Sequence, residues 1–149
     1  MRPTGYSVRM PMTRAEFADF VQVAGMGVVA TADTGGNPEA ALVGMAATQA
    51  GEVIFDSPVT ARKMANLAAN PRVALVIGWD DDVSVQVEGV ADVLGGTDRE
   101  RYGQLYTERF PGSRALHDQF AIVRVIPRWL RYYDARPDSF HVSEGSWVG

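Results

Sequence analysis

The alternation of apolar and polar residues is clearest in VSVQVEGVADV, residues 83–93. Val83, Val85 and Val87 share one face and Ser84, Gln86 and Glu88 the other, the period of two expected for a strand buried on one side. Gly89 interrupts the run and predicts a bulge or a close backbone approach. Further β-rich runs are GVVATAD, EVIFDS, RVALVIGW and FAIVRVI. The turn cluster TGGNP joins GVVATAD to EAALVGMAAT, so these two predict a hairpin. Pro127 interrupts FAIVRVI, and WLRYYDA beyond it predicts an edge strand or a strand turning a corner.

Helical spacing appears in three places. Thr13-x-x-Glu16 is a capping box, followed by Phe17, Phe20, Val21 and Ala24, and predicts a helix ending near Gly25. Thr97-x-x-Glu100 predicts a second capped helix, with Tyr102, Leu105 and Tyr106 as core or interface residues. Between them a short helix spans roughly 60–69 and is closed by Asn70-Pro71. The fold class is therefore mainly β with short helices (α+β). Six to seven short-linked strands make a largely antiparallel sheet, and barrel-like closure removes its edges. A single domain covers residues 1–149, with its core over about 13–135. Both ends read as irregular, although Phe140 and Trp147 could dock on a surface.

Composition narrows the chemistry. The 149 residues are 46% apolar and 21% charged, as in ordinary globular domains. A net charge of -4 argues against non-specific nucleic-acid binding. With no cysteine, thiolate catalysis and Cys-based metal sites are excluded. The first residues, MRPTGYSVRMPM, lack the apolar core of a secretory signal, and no run is long enough to span a membrane. A cytoplasmic protein is expected. His117 and His141 lie in separate segments, so no metal site is expected, and Asp80-Asp81-Asp82 reads as a hairpin tip. No nucleotide-phosphate loop, nucleophile elbow or zinc-protease motif occurs.

One stretch resists a purely structural reading. In SPVTARKMANLAANPRV the first helical turn carries Arg62 and Lys63, at the positive end of the helix dipole. Three explanations stand. The cations are solvated; or they pair with Asp56 or Glu88; or they form an anion site with free backbone N–H groups and the hydroxyls of Ser57 and Thr60.

The ordered series GVVATADTGGNPEAALVGM, VIFDS, ARK, NPRVALVIGW and VQVEGVADV, with VRVIPRWLRYYD after it, resembles the pyridoxamine 5'-phosphate oxidase-like family of FMN-binding split β-barrels. The resemblance implies a homodimer with FMN at the interface and a small-molecule substrate. It implies that Arg62 and Lys63 hold the phosphate, with Ser57, Thr60 and Asp56 nearby. Asp56 departs from a phosphate-binding pattern and is expected to pair with Arg62 or Lys63. Val43, Gly44 and Met45 match a segment lining the flavin ring, Gln86 falls on a strand approaching the flavin, and Trp129 and Arg131 are contributions from the second protomer. Position 61 is Ala where the oxidase has Ser, and the oxidase's C-terminal substrate motif is not recognisable, which separates this chain from vitamin B6 chemistry. Related split barrels use a deazaflavin coenzyme, and a non-catalytic flavin-binding module fits the same residues. The catalytic residues are unknown.

Overall fold

A computed structural model describes residues 11–147. Helix α1 (Arg14–Ala24) opens with the expected capping box, Thr13 and Glu16 each accepting from the other's backbone N–H, and ends at Gly25 in the left-handed region. Then follow β1 (Met26–Ala32), β2 (Pro38–Gly44), β3 (Ala46–Ala47) and β4 (Val53–Pro58). Helix α2 (Arg62–Ala69) precedes β5 (Arg72–Ile77) and β6 (Val83–Val93). Helix α3 (Gly96–Arg109), β7 (Phe120–Asp134) and β8 (His141–Gly145) complete the described chain.

Every strand pairing is antiparallel, in the order β2-β1-β5-β6-β7-β4-β3, with β8 also on β7. The register explains how the sheet curls around a core. Ala41, Val29, Leu75, Val87 and Leu130 stand opposite one another across five strands and point inward. Phe17 and Val21 of α1 and Phe55 of β4 fill the space they enclose. A smaller cluster of Ile54, Ile122, Leu94, Tyr102 and Tyr106 packs α3 on the other side of β4 and β7.

Four expectations are corrected. The tail beyond residue 135 is not all irregular. β7 is 15 residues long, and β4 pairs with only its first half, so β8 covers the edge left over. Main-chain pairing suffices there despite the polar sequence. Trp147 then docks on α1, 5.5 Å from the Phe17 ring, and its indole N–H donates to the Met12 carbonyl at 3.1 Å. The N-terminal ten residues lie outside the described range. Second, Thr97 caps nothing: α3 starts two residues earlier than a Thr97 cap would place it, with Gly95 as its N-cap and no side-chain bond. Third, EAALVGMAAT is not one strand. Met45 leaves the ladder, its N–H donating to the Gly25 carbonyl at 2.9 Å, and splits β2 from β3. Fourth, β7 is not broken at Pro127. The register shifts between Glu88 and Gly89, so Pro127 faces Gly89 and Arg128 is the extra residue of a bulge. The missing proline N–H falls where the ladder is already interrupted. Among the described residues the main path of the sheet has seven strands, within the six to seven expected, and β8 lies off it on β7.

The close backbone approach expected at Gly89 is present: a Cβ there would lie 2.6 Å from the Ile126 carbonyl oxygen. Because that atom is backbone, it cannot swing aside. Gly89→Ala is expected to destabilise the fold by about 1–3 kcal/mol, as overpacking does. Chemical denaturation with an unchanged m-value checks this.

Candidate functional site

Helix α2 sits on the short connection from β4 to β5 and packs against β1. Its buried face is Lys63, Asn66 and Leu67, at helical spacing, with Leu67 in the main core. The Asn66 amide donates to the Thr31 hydroxyl at 3.0 Å and to a Glu39 carboxylate oxygen at 3.4 Å, tying the helix to β1 and β2. Asn70 ends it in an extended conformation, as the following proline requires.

The first turn is electrostatically bare. Its N-cap is Ala61, which offers no side-chain bond, and no acidic residue lies in the turn. Arg62 is exposed. Lys63 is only 8% exposed. Among the described residues neither has a carboxylate within 4.0 Å. Arg62 acts at longer range on Asp33. That carboxyl is held below its usual range mainly by its hydrogen bonds to Asn37, with Gly35 and then Arg62 adding to the effect.

Asp56 does not pair with either cation, contrary to expectation, and neither does Glu88. The Asp56 carboxylate accepts the Tyr106 hydroxyl of α3 at 3.0 Å, and the same hydroxyl lies 3.4 Å from the Gly44 carbonyl. Burial, then the charge and hydrogen bond of Asp56, raise the Tyr106 ionisation well above its ordinary value. Ser57 is 1% exposed, and its hydroxyl donates to the Pro58 carbonyl at 3.0 Å. Its proton is thus spent locally. Thr60 is exposed, just before the N-cap.

Val43 and Met45 point into the core, so only their backbone is open to a ligand. A Cβ on Gly44 would lie 2.7 Å from the Tyr106 hydroxyl oxygen. Gln86, Trp129 and Arg131 lie on the outer face of the sheet. One row there runs Leu42, Val28, Val76, Gln86, Arg131, and the next Ala40, Ala30, Ala74, Glu88, Trp129. In the strand order β7 is three strands away from β1, on which α2 packs. The Trp129 indole N–H and the Arg131 Nε are buried without a hydrogen-bond partner among the described residues.

The match to the family model for pyridoxamine 5'-phosphate oxidase covers residues 13–134. The chain belongs to that family. A curated relative, the pyridoxine/pyridoxamine 5'-phosphate oxidase of Bordetella avium (strain 197N), is 34% identical over 87 residues, 58% of this chain and 40% of that protein. The alignment thus takes in well under half of that relative's length. The conserved hypothetical protein Rv2991 of Mycobacterium tuberculosis is 26% identical, covers 97% of this chain and 98% of its own, and superposes with a TM-score of 0.72. A heme-binding protein of Mycobacterium smegmatis reaches a TM-score of 0.74 at 18% identity, over 93% of this chain and 60% of its own. This last likeness concerns the fold alone.

Two residues of the site were not legible in the sequence. Asn66 carried a signal, since it stands four residues after Arg62 and three after Lys63 and shares their side of the helix. Tyr106 carried none beyond its place in a core stripe, because its partners come from β2 and β4. Asn66→Ala would leave the buried Thr31 hydroxyl without its donor. A loss of about 1–3 kcal/mol in urea denaturation is expected.

Proposed function

We propose that the protein is a homodimeric FMN-dependent oxidoreductase acting on a small molecule. One observation carries the cofactor assignment: Arg62 and Lys63 stand together in the uncapped first turn of α2, and among the described residues neither has a carboxylate in reach. Cations at the positive end of a helix dipole with no counter-charge carry an electrostatic cost. A phosphate between Lys63, Arg62 and the uncapped N–H groups of α2 removes that cost. The residues therefore fit the phosphate end of FMN. The donors there are Arg62, Lys63 and backbone N–H groups, with Thr60 close by and Ser57 reduced to an accepting role. When bound, the flavin supplies the redox chemistry, and the protein supplies position and electrostatics.

A second protomer supplies what one chain lacks. The outer sheet face presents Leu42, 56% exposed, and Val76, 40% exposed, in one row with Arg131. The neighbouring row of alanines is flat enough for close approach. The unpartnered Trp129 and Arg131 donors at the end of these rows favour a surface completed by another copy and its cofactor. The heme-binding neighbour raises heme as a rival ligand. Neither His117 nor His141 stands on the elements holding Arg62 and Lys63.

The test is titration of the cofactor-free protein with FMN, a deazaflavin coenzyme and hemin. FMN is expected to bind in preference to the other two. Tighter binding of the deazaflavin or of hemin overturns the cofactor assignment. Arg62→Gln with Lys63→Met keeps the side-chain stems and removes the charge, and should weaken FMN by about 2–4 kcal/mol. Unchanged affinity would sink the phosphate site. Light scattering should give a dimer that Val76→Arg converts to monomer; a monomeric parent protein contradicts the interface.

A further inference from the structure

We infer that the groove bordered by α1, the tip joining β5 to β6, and β8 is a second ligand site, fitted to a small organic dication: two amines on an apolar chain. The inference does not depend on the phosphate reading, because no residue of α2 or β4 lines this groove.

Two cavities, of about 480 Å³ and about 490 Å³, adjoin here and share Phe20, Val23 and Tyr132. Each is of the size that small-molecule pockets have. Helix α1 supplies one wall. Glu16, Asp19, Phe20 and Val23 stand at the helical spacing i, i+3, i+4, i+7, so one stripe of the helix follows the groove for about 10 Å. Strand β8 supplies His141 and Ser143, and Trp147 holds the end of that strand against α1. The shared middle is fixed. Phe20 and Tyr132 pack against the main core, and a Cβ on Gly78, which has a left-handed φ of 74°, would lie 2.9 Å from the Phe20 ring.

That middle is apolar and open to solvent. Val23 is 85% exposed, more than any other large apolar side chain described, and Trp79 and Met26 in the same cavity are 49% and 42% exposed. Three such side chains around one cavity leave apolar surface to be covered. Charge decides by what. The first cavity adds the carboxylates of Glu16 and Asp19, and the second those of Asp80 and Asp81. None of the four makes an ion pair among the described residues. The guanidinium in the lining, Arg136, is spent on Asp134, with bonds of 2.9 and 2.7 Å. The four charges equal the formal net charge of the whole chain, -4, so the rest of the sequence is balanced. An anion is repelled here, and a neutral apolar ligand leaves the carboxylates unused. An amine at each end, with an apolar chain laid along Phe20 and Val23, meets both demands, and the aromatic rings add cation–π attraction.

The test is calorimetric titration of the full chain at low salt with 1,8-diaminooctane, octylamine and 1,8-octanediol, which share the chain and differ in charge. The diamine is expected to bind about fivefold more tightly than octylamine, as one further exposed ion pair allows, and the diol more weakly than either. The advantage should shrink at high salt. Asp80→Asn with Asp81→Asn removes the charge at one end. Asn accepts the left-handed φ of 58° at position 81, and thermal melting verifies the fold. In this variant the diamine should fall to the affinity that octylamine has for the parent protein. A diamine that binds no better than the diol, or that the double substitution leaves unaffected, overturns the inference. Val23→Arg puts a cation in the exposed middle and should abolish binding. If that variant instead turns a dimer into monomers, a second copy is the occupant of the groove and the inference falls.

Discussion

The long strand β7 is the constraint on which the rest depends. It pairs with β6 along one edge and with β4 and then β8 along the other, so three strands take their register from it. Its bulge at Arg128, where Pro127 faces Gly89, increases the local twist. A sheet twisted this way curls, and curling brings β2 at one end of the strand order close to β4 near the other. The two do not pair through their backbones. Side chains must therefore close the gap, and Tyr106 does so between Gly44 and Asp56.

The same gap gives the candidate site its character. β4 ends there and α2 begins a few residues later, so the start of a helix, two cations and a carboxylate are confined to one short stretch. In water such a group of charges would neutralise itself. Here Asp56 is bonded to α3 and Glu39 is engaged by Asn66, and among the described residues neither Arg62 nor Lys63 has a carboxylate in reach. The positive end of the helix dipole reinforces the surplus charge and does not offset it. An arrangement that lowers the stability of the empty protein and raises its affinity for an anion is the expected mark of a binding site.

Local pattern made most of the fold legible. The first capping box, the Gly25 helix stop, the hairpin turn at 34–38 and the strands at 72–77 and 83–93 depend on neighbours in sequence, and the structure has them. The errors lie where distant partners decide. β8 forms because half of β7 would otherwise be bare, which the polar tail could not reveal. The break at Met45 depends on Gly25, twenty residues away. The site divides in the same way. The misplaced charges of Arg62 and Lys63 were visible as a violation of a local rule, but the partner of Asp56 was misread because Tyr106 comes from fifty residues downstream. Trp129 and Arg131 were named by resemblance, and what a single chain adds is that their donors are unmet.

The central claim is that the start of α2 holds a phosphate. A crystal structure of the protein grown with FMN tests it most directly. The account predicts phosphate density within hydrogen-bond reach of Arg62, Lys63 and the first N–H groups of α2, with Asp56 still on Tyr106. Flavin bound elsewhere on the sheet, or Asp56 turned onto the cations with no phosphate between them, would contradict it.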